Sequence, residues 1–347
     1  MKLLVLLFKI TLFPLYGLYY GIIFLRNYLY DSGISKSIRP KVYTINVGNL
    51  SLGGTGKTPH VEYLVRLLNK KYQMSTLSRG YGRQTKGFLV ADNQANAQII
   101  GDEPMQYYLK FAQEIKVVVC EDRVEGVNKI QTEFTDNKLV VLDDVFQHRK
   151  INPHLNLLLT EFDQPFFEDA LVPFGRLRDI RQSARRADAV IVTKCPPQLS
   201  QNKRNDLEFS IKKYTDSQIP IFYSSIIYRS IVGYIPTSTF ELNQQCVVVS
   251  AIAKPEKFVE YLKTQVPKIQ KTIDFPDHYA FLRDDIEKLL KDFGTNSQFI
   301  STEKDMVKIK PLLSKTEQEK FFYVPIEVNI VGKSNFDDFI LQAIQTY

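Results

Sequence analysis

The sequence predicts an α/β protein built on a mostly parallel sheet with helices on both faces. After Pro40, short apolar runs rich in β-branched residues alternate with longer helical stretches. Runs of that kind are buried on both sides, as parallel strands joined by crossover helices are. The first of them leads through a glycine-rich segment straight into a helix. Beyond the polar stretch Gln198–Lys213 the alternation resumes on a smaller scale, which predicts a second, smaller α/β domain. A chain of 347 residues also exceeds one ordinary core.

The elements follow in order. Residues 1–40 form an N-terminal segment in which Ile10–Leu25 carries no charge. That stretch falls short of the ~20 residues a spanning helix needs. Tyr16, Tyr19 and Tyr20 suit a headgroup region. The segment therefore reads as a membrane-embedded or interfacial anchor, with Arg26, Lys36, Arg39 and Lys41 facing anionic lipid. Residues 41–218 form the first domain, with strands at Val42–Val47, Met74–Leu77, Val117–Cys120, Leu139–Leu142, Leu155–Thr160 and Ala189–Thr193. Helices are predicted at Lys57–Lys70, Pro104–Gln113 and Arg123–Phe134. Residues 219–235 read as a β linker, a hairpin at Ile219–Ile235. Residues 236–347 form the smaller domain, with strands at Cys246–Ser250, Phe299–Thr302 and Phe321–Val328 and a helix at Pro255–Lys263.

Composition narrows the class. With 44% hydrophobic and 24% charged residues the chain is a folding sequence, not a disordered one. A net charge of +7 favours an anionic partner. Cys120, Cys195 and Cys246 form no C-x-x-C pair, which argues for a reducing compartment and against a disulfide or zinc framework.

The sharpest signal is Ser51-Leu52-Gly53-Gly54-Thr55-Gly56-Lys57-Thr58 between a strand and a helix, the setting of a phosphate-binding P-loop. Glycines let backbone amides wrap phosphates, and the helix N-terminus adds partial positive charge. Lys57 reaches the outer phosphates of ATP, and the Thr58 hydroxyl is placed to ligate Mg2+. The first motif position is Ser51 where glycine is usual. The apolar strand Leu139–Leu142 runs into Asp143-Asp144, a carboxylate pair able to hold the metal opposite Thr58. Together these predict nucleotide hydrolysis or phosphoryl transfer. A membrane-associated GTPase coupling hydrolysis to a partner stays the alternative. Its base-reading N/T-K-x-D segment is only half matched, by Thr193-Lys194-Cys195-Pro196.

Seven separated segments resemble the tetraacyldisaccharide 4′-kinases, the lipid A 4′-kinases of Gram-negative bacteria. They are the loop, Ser78-Arg79-Gly80-Tyr81-Gly82-Arg83, Gly101-Asp102-Glu103-Pro104, Asp143-Asp144-Val145-Phe146-Gln147-His148, Leu177-Arg178-Asp179, Phe275-Pro276-Asp277-His278-Tyr279 and Thr302-Glu303-Lys304-Asp305. The resemblance implies transfer of the γ-phosphate of ATP to the 4′-hydroxyl of a tetraacylated glucosamine disaccharide 1-phosphate. It also implies an N-terminal helix inserted into the cytoplasmic side of the inner membrane. Neither nucleic acid nor an obligate protein partner is expected.

Residue by residue, Asp102 resembles the family's catalytic aspartate and His278 its partner, which together form the base for the sugar hydroxyl. Read without the family, an Asp in such a turn is more often a helix cap. Asp179 matches an acidic position expected near the metal, and Arg178 and Arg123 match arginines that steady phosphate charge. Arg176, Arg178, Arg181, Arg185 and Arg186 form a dense basic cluster. It is either a solvated face or a contact for phosphate groups. Arg79 and Tyr81 are candidate substrate contacts.

Overall fold

The computed structural model describes residues 2–294 and 296–347, with side chains from Phe13 onward among the first residues. Met1 of the expected anchor lies outside them.

The chain opens with helix α1 (Lys2–Asp31) and continues through β1 (Tyr43–Asn49), α2 (Lys57–Leu68), β2 (Met74–Ser78), β3 (Leu89–Val90), α3 (Ala97–Ile100) and α4 (Asp102–Phe111). Next come β4 (Lys116–Val119), α5 (Arg123–Glu133), β5 (Leu139–Asp143), β6 (Leu155–Glu161), β7 (Ala189–Thr193), α6 (Gln201–Lys212), β8 (Ile221–Tyr228) and β9 (Val232–Gly233). The remainder is β10 (Cys246–Ser250), α7 (Glu256–Gln265), β11 (Ile269–Asp274), α8 (Arg283–Phe293), β12 (Gln298–Thr302), α9 (Glu303–Ile309), α10 (Lys315–Gln318), β13 (Phe321–Val324), β14 (Ile326–Ile330) and α11 (Lys333–Gln345).

A nine-stranded sheet has the order β14-β8-β7-β6-β1-β5-β2-β4-β3. Its pairings are parallel except at the two edges, β14 on β8 and β3 on β4. Strand alternation sends successive residues to opposite faces. In β5, Leu139 and Val141 join Val61, Leu64 and Tyr107 on one side. Val140 and Leu142 join Val127 and Ile130 of α5 on the other. Both faces are thus covered, as the apolar runs require. A second sheet has the order β11-β10-β12-β13-β9 and carries its own apolar layers on each side.

Two expectations are corrected. Ile219–Ile235 is not a hairpin, because β8 runs parallel to β7 as a member of the large sheet. Phe321–Val328 is not one strand. Pro325 interrupts the ladder, so β13 lies in the small sheet while β14 pairs with β8 in the large one. The last residues therefore return to the first sheet, where Phe336 packs edge-on against Tyr63 and Phe222. The polar stretch Gln198–Lys213 contains α6, which buries Leu207 and Ile211.

Helix α1 is two-sided. Ile23 and Asn27 are buried, and Tyr16 packs at a tilt against Phe174 with ring centroids 5.0 Å apart. The other face exposes Phe13, Leu15, Leu18, Tyr20, Ile22, Phe24 and Leu25. No helix among the described residues is long and apolar enough to cross a membrane. The basic residues expected to face lipid, Arg26, Lys36, Arg39 and Lys41, are all exposed, and Arg26 also donates to the Gln147 carbonyl at 2.5 Å.

Candidate active site

Central strand β1 delivers the chain into the loop, and neighbours brace it. The Asn49 amide donates to Thr55 Oγ1 at 2.8 Å, and the Leu52 N–H to the Arg176 carbonyl at 2.7 Å. From β7, Thr193 Oγ1 donates to the Thr55 carbonyl at 2.9 Å, and the Lys194 ammonium donates to the Gly54 carbonyl. Gly56 takes φ 88°, a left-handed turn that aims the start of α2 at the loop's mouth. The N–H groups of Lys57 and Thr58, in the first turn, have no intrahelical acceptor, which leaves them free for phosphate oxygens. Beneath the turn His60 Nδ1 donates to the Gly56 carbonyl at 2.7 Å, and its Nε2 meets Ser224 Oγ at 3.0 Å.

Beside the loop, β5 ends in the two carboxylates. Lys57 Nζ is 3.7 Å from Asp144, and Arg178 Nη1 donates to it at 3.0 Å. Burial alone would raise the Asp144 carboxyl, but Lys57 and Arg178 hold it below its ordinary value. Asp143 is pushed up to about 7, first by burial and then by Asp144 and Glu103, with Lys57 opposing. Tyr107 donates to Asp143 Oδ2 at 2.9 Å, whereas Oδ1 is buried with no protein partner. An unpartnered buried carboxylate oxygen is costly, and a cation satisfies it. Two carboxylates and the Thr58 hydroxyl fit magnesium that also takes phosphate oxygens as ligands. Arg123 lies behind the pair, buried, its Nη1 donating to the carbonyls of Cys120 and Glu121 at 3.2 and 2.8 Å.

The opposite wall starts at Asp102, the first residue of α4. Gly101 before it has φ 96°, and a Cβ there would meet Gly80 Cα at 2.9 Å. Only glycine lets the Ser78–Arg83 loop lie this close to the N-terminus of α4. Across the gap, His278 Nδ1 from the second sheet's loop is 3.5 Å from Asp102 Oδ2. The Tyr81 ring stands edge-on to His278 at 5.2 Å. Helix α4 joins the two halves, since Asp102 faces His278 and Tyr107 holds Asp143. Asp144, Lys194 and His278 are the non-glycine residues with positive φ among those described. Such strain persists where the surroundings over-determine it, as at ligand sites.

A sequence model of the tetraacyldisaccharide-1-P 4′-kinase family matches residues 8–345. The chain belongs to this family. A tetraacyldisaccharide 4′-kinase of Cytophaga hutchinsonii is 43% identical over 93% of this chain and 92% of its own. One of Flavobacterium johnsoniae is 40% identical over 98% of each chain. The crystal structure of the "apo" form of LpxK from Aquifex aeolicus in complex with ATP superimposes with a TM-score of 0.76. It is 28% identical and covers 97% of this chain and 99% of its own.

Within this 4′-kinase fold, the expected residues Ser51–Thr58, Asp143, Asp144 and Arg178 come together, as do Asp102 and His278. Asp179, expected near the metal, is engaged by protein donors here. It is buried and receives Asn27 Nδ2 at 2.8 Å, Ser183 Oγ at 2.7 Å and Arg186 at 3.0 Å. Those donors occupy both oxygens, so its carboxylate ties α1 to the loop. The arginine cluster is dispersed in the same way. Arg176 pairs with Asp169 and Glu161, Arg181 with the Asp169 carbonyl, and Arg185 with Asp31. Only Arg178 turns to the phosphate loop. Residues 181–186 form a 3₁₀ turn, not an α-helix with a shared basic face. Sequence reasoning gave no role to Tyr107, Lys194, Lys304 or Lys308. The last two lie in or beside the Thr302–Asp305 segment, and Lys194 in the half-matched base motif, so their signals were present but unassigned.

Proposed function

We propose that the loop Ser51–Thr58 holds ATP and that Asp102 removes the proton from the sugar 4′-hydroxyl as the γ-phosphate is transferred. The acceptor is a tetraacylated glucosamine disaccharide 1-phosphate, the lipid A precursor. The observation that carries the assignment is the 3.5 Å approach of His278 to Asp102 at the N-terminus of α4, the helix whose Tyr107 also holds Asp143. A base oriented by a second group suits a weak hydroxyl nucleophile, and the rest of the catalysis is positioning and charge stabilisation. Lys57 and Arg178 neutralise charge on the transferred phosphoryl group. Arg123 supports the same field from behind Asp143 and Asp144. Thr58, Asp143 and Asp144 hold magnesium, which, when bound, offsets charge on the β- and γ-phosphates.

The apolar face of α1 lies in the headgroup region at the cytoplasmic side of the inner membrane, with Lys36, Arg39 and Lys41 toward anionic lipid. A smaller C-terminal α/β domain around the second sheet closes over the sugar and excludes water. Incubation with labelled ATP and the disaccharide 1-phosphate should yield the 4′-phosphate. Lys57→Ala should lower turnover at least ~100-fold, as loss of a phosphate-stabilising charge does. Undiminished turnover in that variant would overturn the assignment.

A further inference from the structure

The segment Thr302–Asp305 connects helix α9 to the Asp102–His278 pair and to α4. Thr302 caps α9, its Oγ1 donating to Asp305 Oδ2 at 2.6 Å and accepting the Asp305 N–H at 3.2 Å. Asp305, wholly buried, accepts the Ala251 N–H at 2.9 Å, and the Ala251 carbonyl accepts the His278 N–H at 3.3 Å. Glu303 pairs at 2.7 Å with Lys110 on α4, the helix that starts with Asp102. Lys110 is held in turn by Glu62 of α2 at 2.7 Å. Lys304 Nζ stands 3.0 Å from His278 Nε2.

That last contact fixes the direction of the imidazole. A lysine ammonium has three donors and no acceptor. Nε2 must therefore accept, and in the neutral ring the proton sits on Nδ1, the nitrogen facing Asp102. We propose that Lys304 is a positioning residue that holds His278 as the Nδ1–H tautomer, directed at the Asp102 carboxylate. The backbone of His278 is held at φ 59° by a tethered N–H, and its two ring nitrogens lie between Asp102 and Lys304. The other groups around the pair agree with the assignment. Glu103 and Asp277 flank the Lys304 ammonium at 3.5 and 3.9 Å and supply its counter-charge. Lys308, one turn along α9, lies 3.9 Å from Asp102 and bonds the Tyr279 carbonyl at 3.1 Å. Tyr81 presents only a ring edge. Helix α9 thus brackets the pair, with Lys304 on the histidine and Lys308 on the aspartate.

The inference rests on the reading of Asp102 and His278 as the base, and the experiment separates the two. Long-range nitrogen–proton correlation spectra of the full chain, labelled in histidine, report the tautomer; the His278 signals are those missing in His278→Gln. The wild type should show hydrogen on Nδ1 and none on Nε2. Lys304→Met should mix the tautomers and lower kcat on the order of 10-fold, with KM for ATP unchanged. Lys304→Arg, which restores a donor, should recover most of both. A wild-type ring protonated on Nε2, or Lys304→Met with unaltered spectra and kcat, overturns the role of Lys304. His278→Ala with full kcat would instead overturn the underlying base assignment.

Discussion

Acidification should destabilise the protein through the buried imidazole of His60, and the size of the effect follows from its surroundings. The ring is 2% exposed and lies between the Gly56 carbonyl and Ser224 Oγ. Burial pushes its pKa from 6.5 down to about 4. Between those values the unfolded chain binds a proton that the folded chain refuses, so stability falls as pH drops through that window and is complete above it. Each pH unit is worth about 1.4 kcal/mol, so going from neutral pH to 4.5 should cost roughly 2.5 kcal/mol through this residue. Protonation would also place a donor on Nε2, forcing the fully buried Ser224 hydroxyl to turn. The assay is urea unfolding of wild type and His60→Asn from pH 7.5 to 4.5. His154 is also pushed down to about 4 by burial, but it is present in both proteins and cancels in the difference. The stability gap between the two should narrow, or change sign, by about 2–3 kcal/mol across the range. Parallel pH curves would refute the reasoning.

Three further outcomes follow from the geometry. Asp102→Asn keeps the shape of the α4 N-terminus but removes the base, so kcat should fall by about 10²–10⁴ with ATP affinity retained in calorimetry. Asp179→Ala removes the buried carboxylate shared by Asn27, Ser183 and the half-buried Arg186 and should cost about 3 kcal/mol in denaturant unfolding, with earlier protease cleavage near α1. A variant of normal stability that had lost only its magnesium dependence would return Asp179 to the metal. Phe336→Ala removes the ring wedged between Tyr63 and Phe222 and should cost about 3–5 kcal/mol. An unfolding transition unchanged by that substitution would contradict the docking of α11 on the large sheet.

Helix α4 explains why the two halves of the site form one unit. Its first residue faces His278, its sixth holds Asp143, and Lys110 near its end is clamped between Glu62 of the phosphate-loop helix and Glu303 of α9. Burial raises the Glu303 carboxyl, and the Lys110 ammonium opposes that rise, so the ionised clamp depends on the lysine. These ion pairs tie α9 to α4 and to α2, the helix that follows the phosphate loop.

Much of the protein was readable from the sequence alone, because its signals are local. The phosphate loop is a continuous segment whose glycines, lysine and threonine act through their own backbone geometry. The strands around it announce themselves as apolar runs, since a strand buried on both faces needs nothing polar. Predicted Leu139–Leu142 and Ala189–Thr193 therefore lie within one residue of β5 and β7. Tertiary structure alone decided what depends on distant partners. Pro325 marks a break in the sequence, but only the pairing of Ile326 with Tyr228 sends the chain's end back to the first sheet. Asp179 and the arginines beside it carry charges that suit either a phosphate or a neighbour. Asn27 and Asp31 of α1, about 150 residues away, are the neighbours that Asp179 and Arg185 meet. Lys304 became legible only once folding set its ammonium against His278. A side chain's chemistry is written in its type, but the partner that uses it is chosen by the packing of the whole chain.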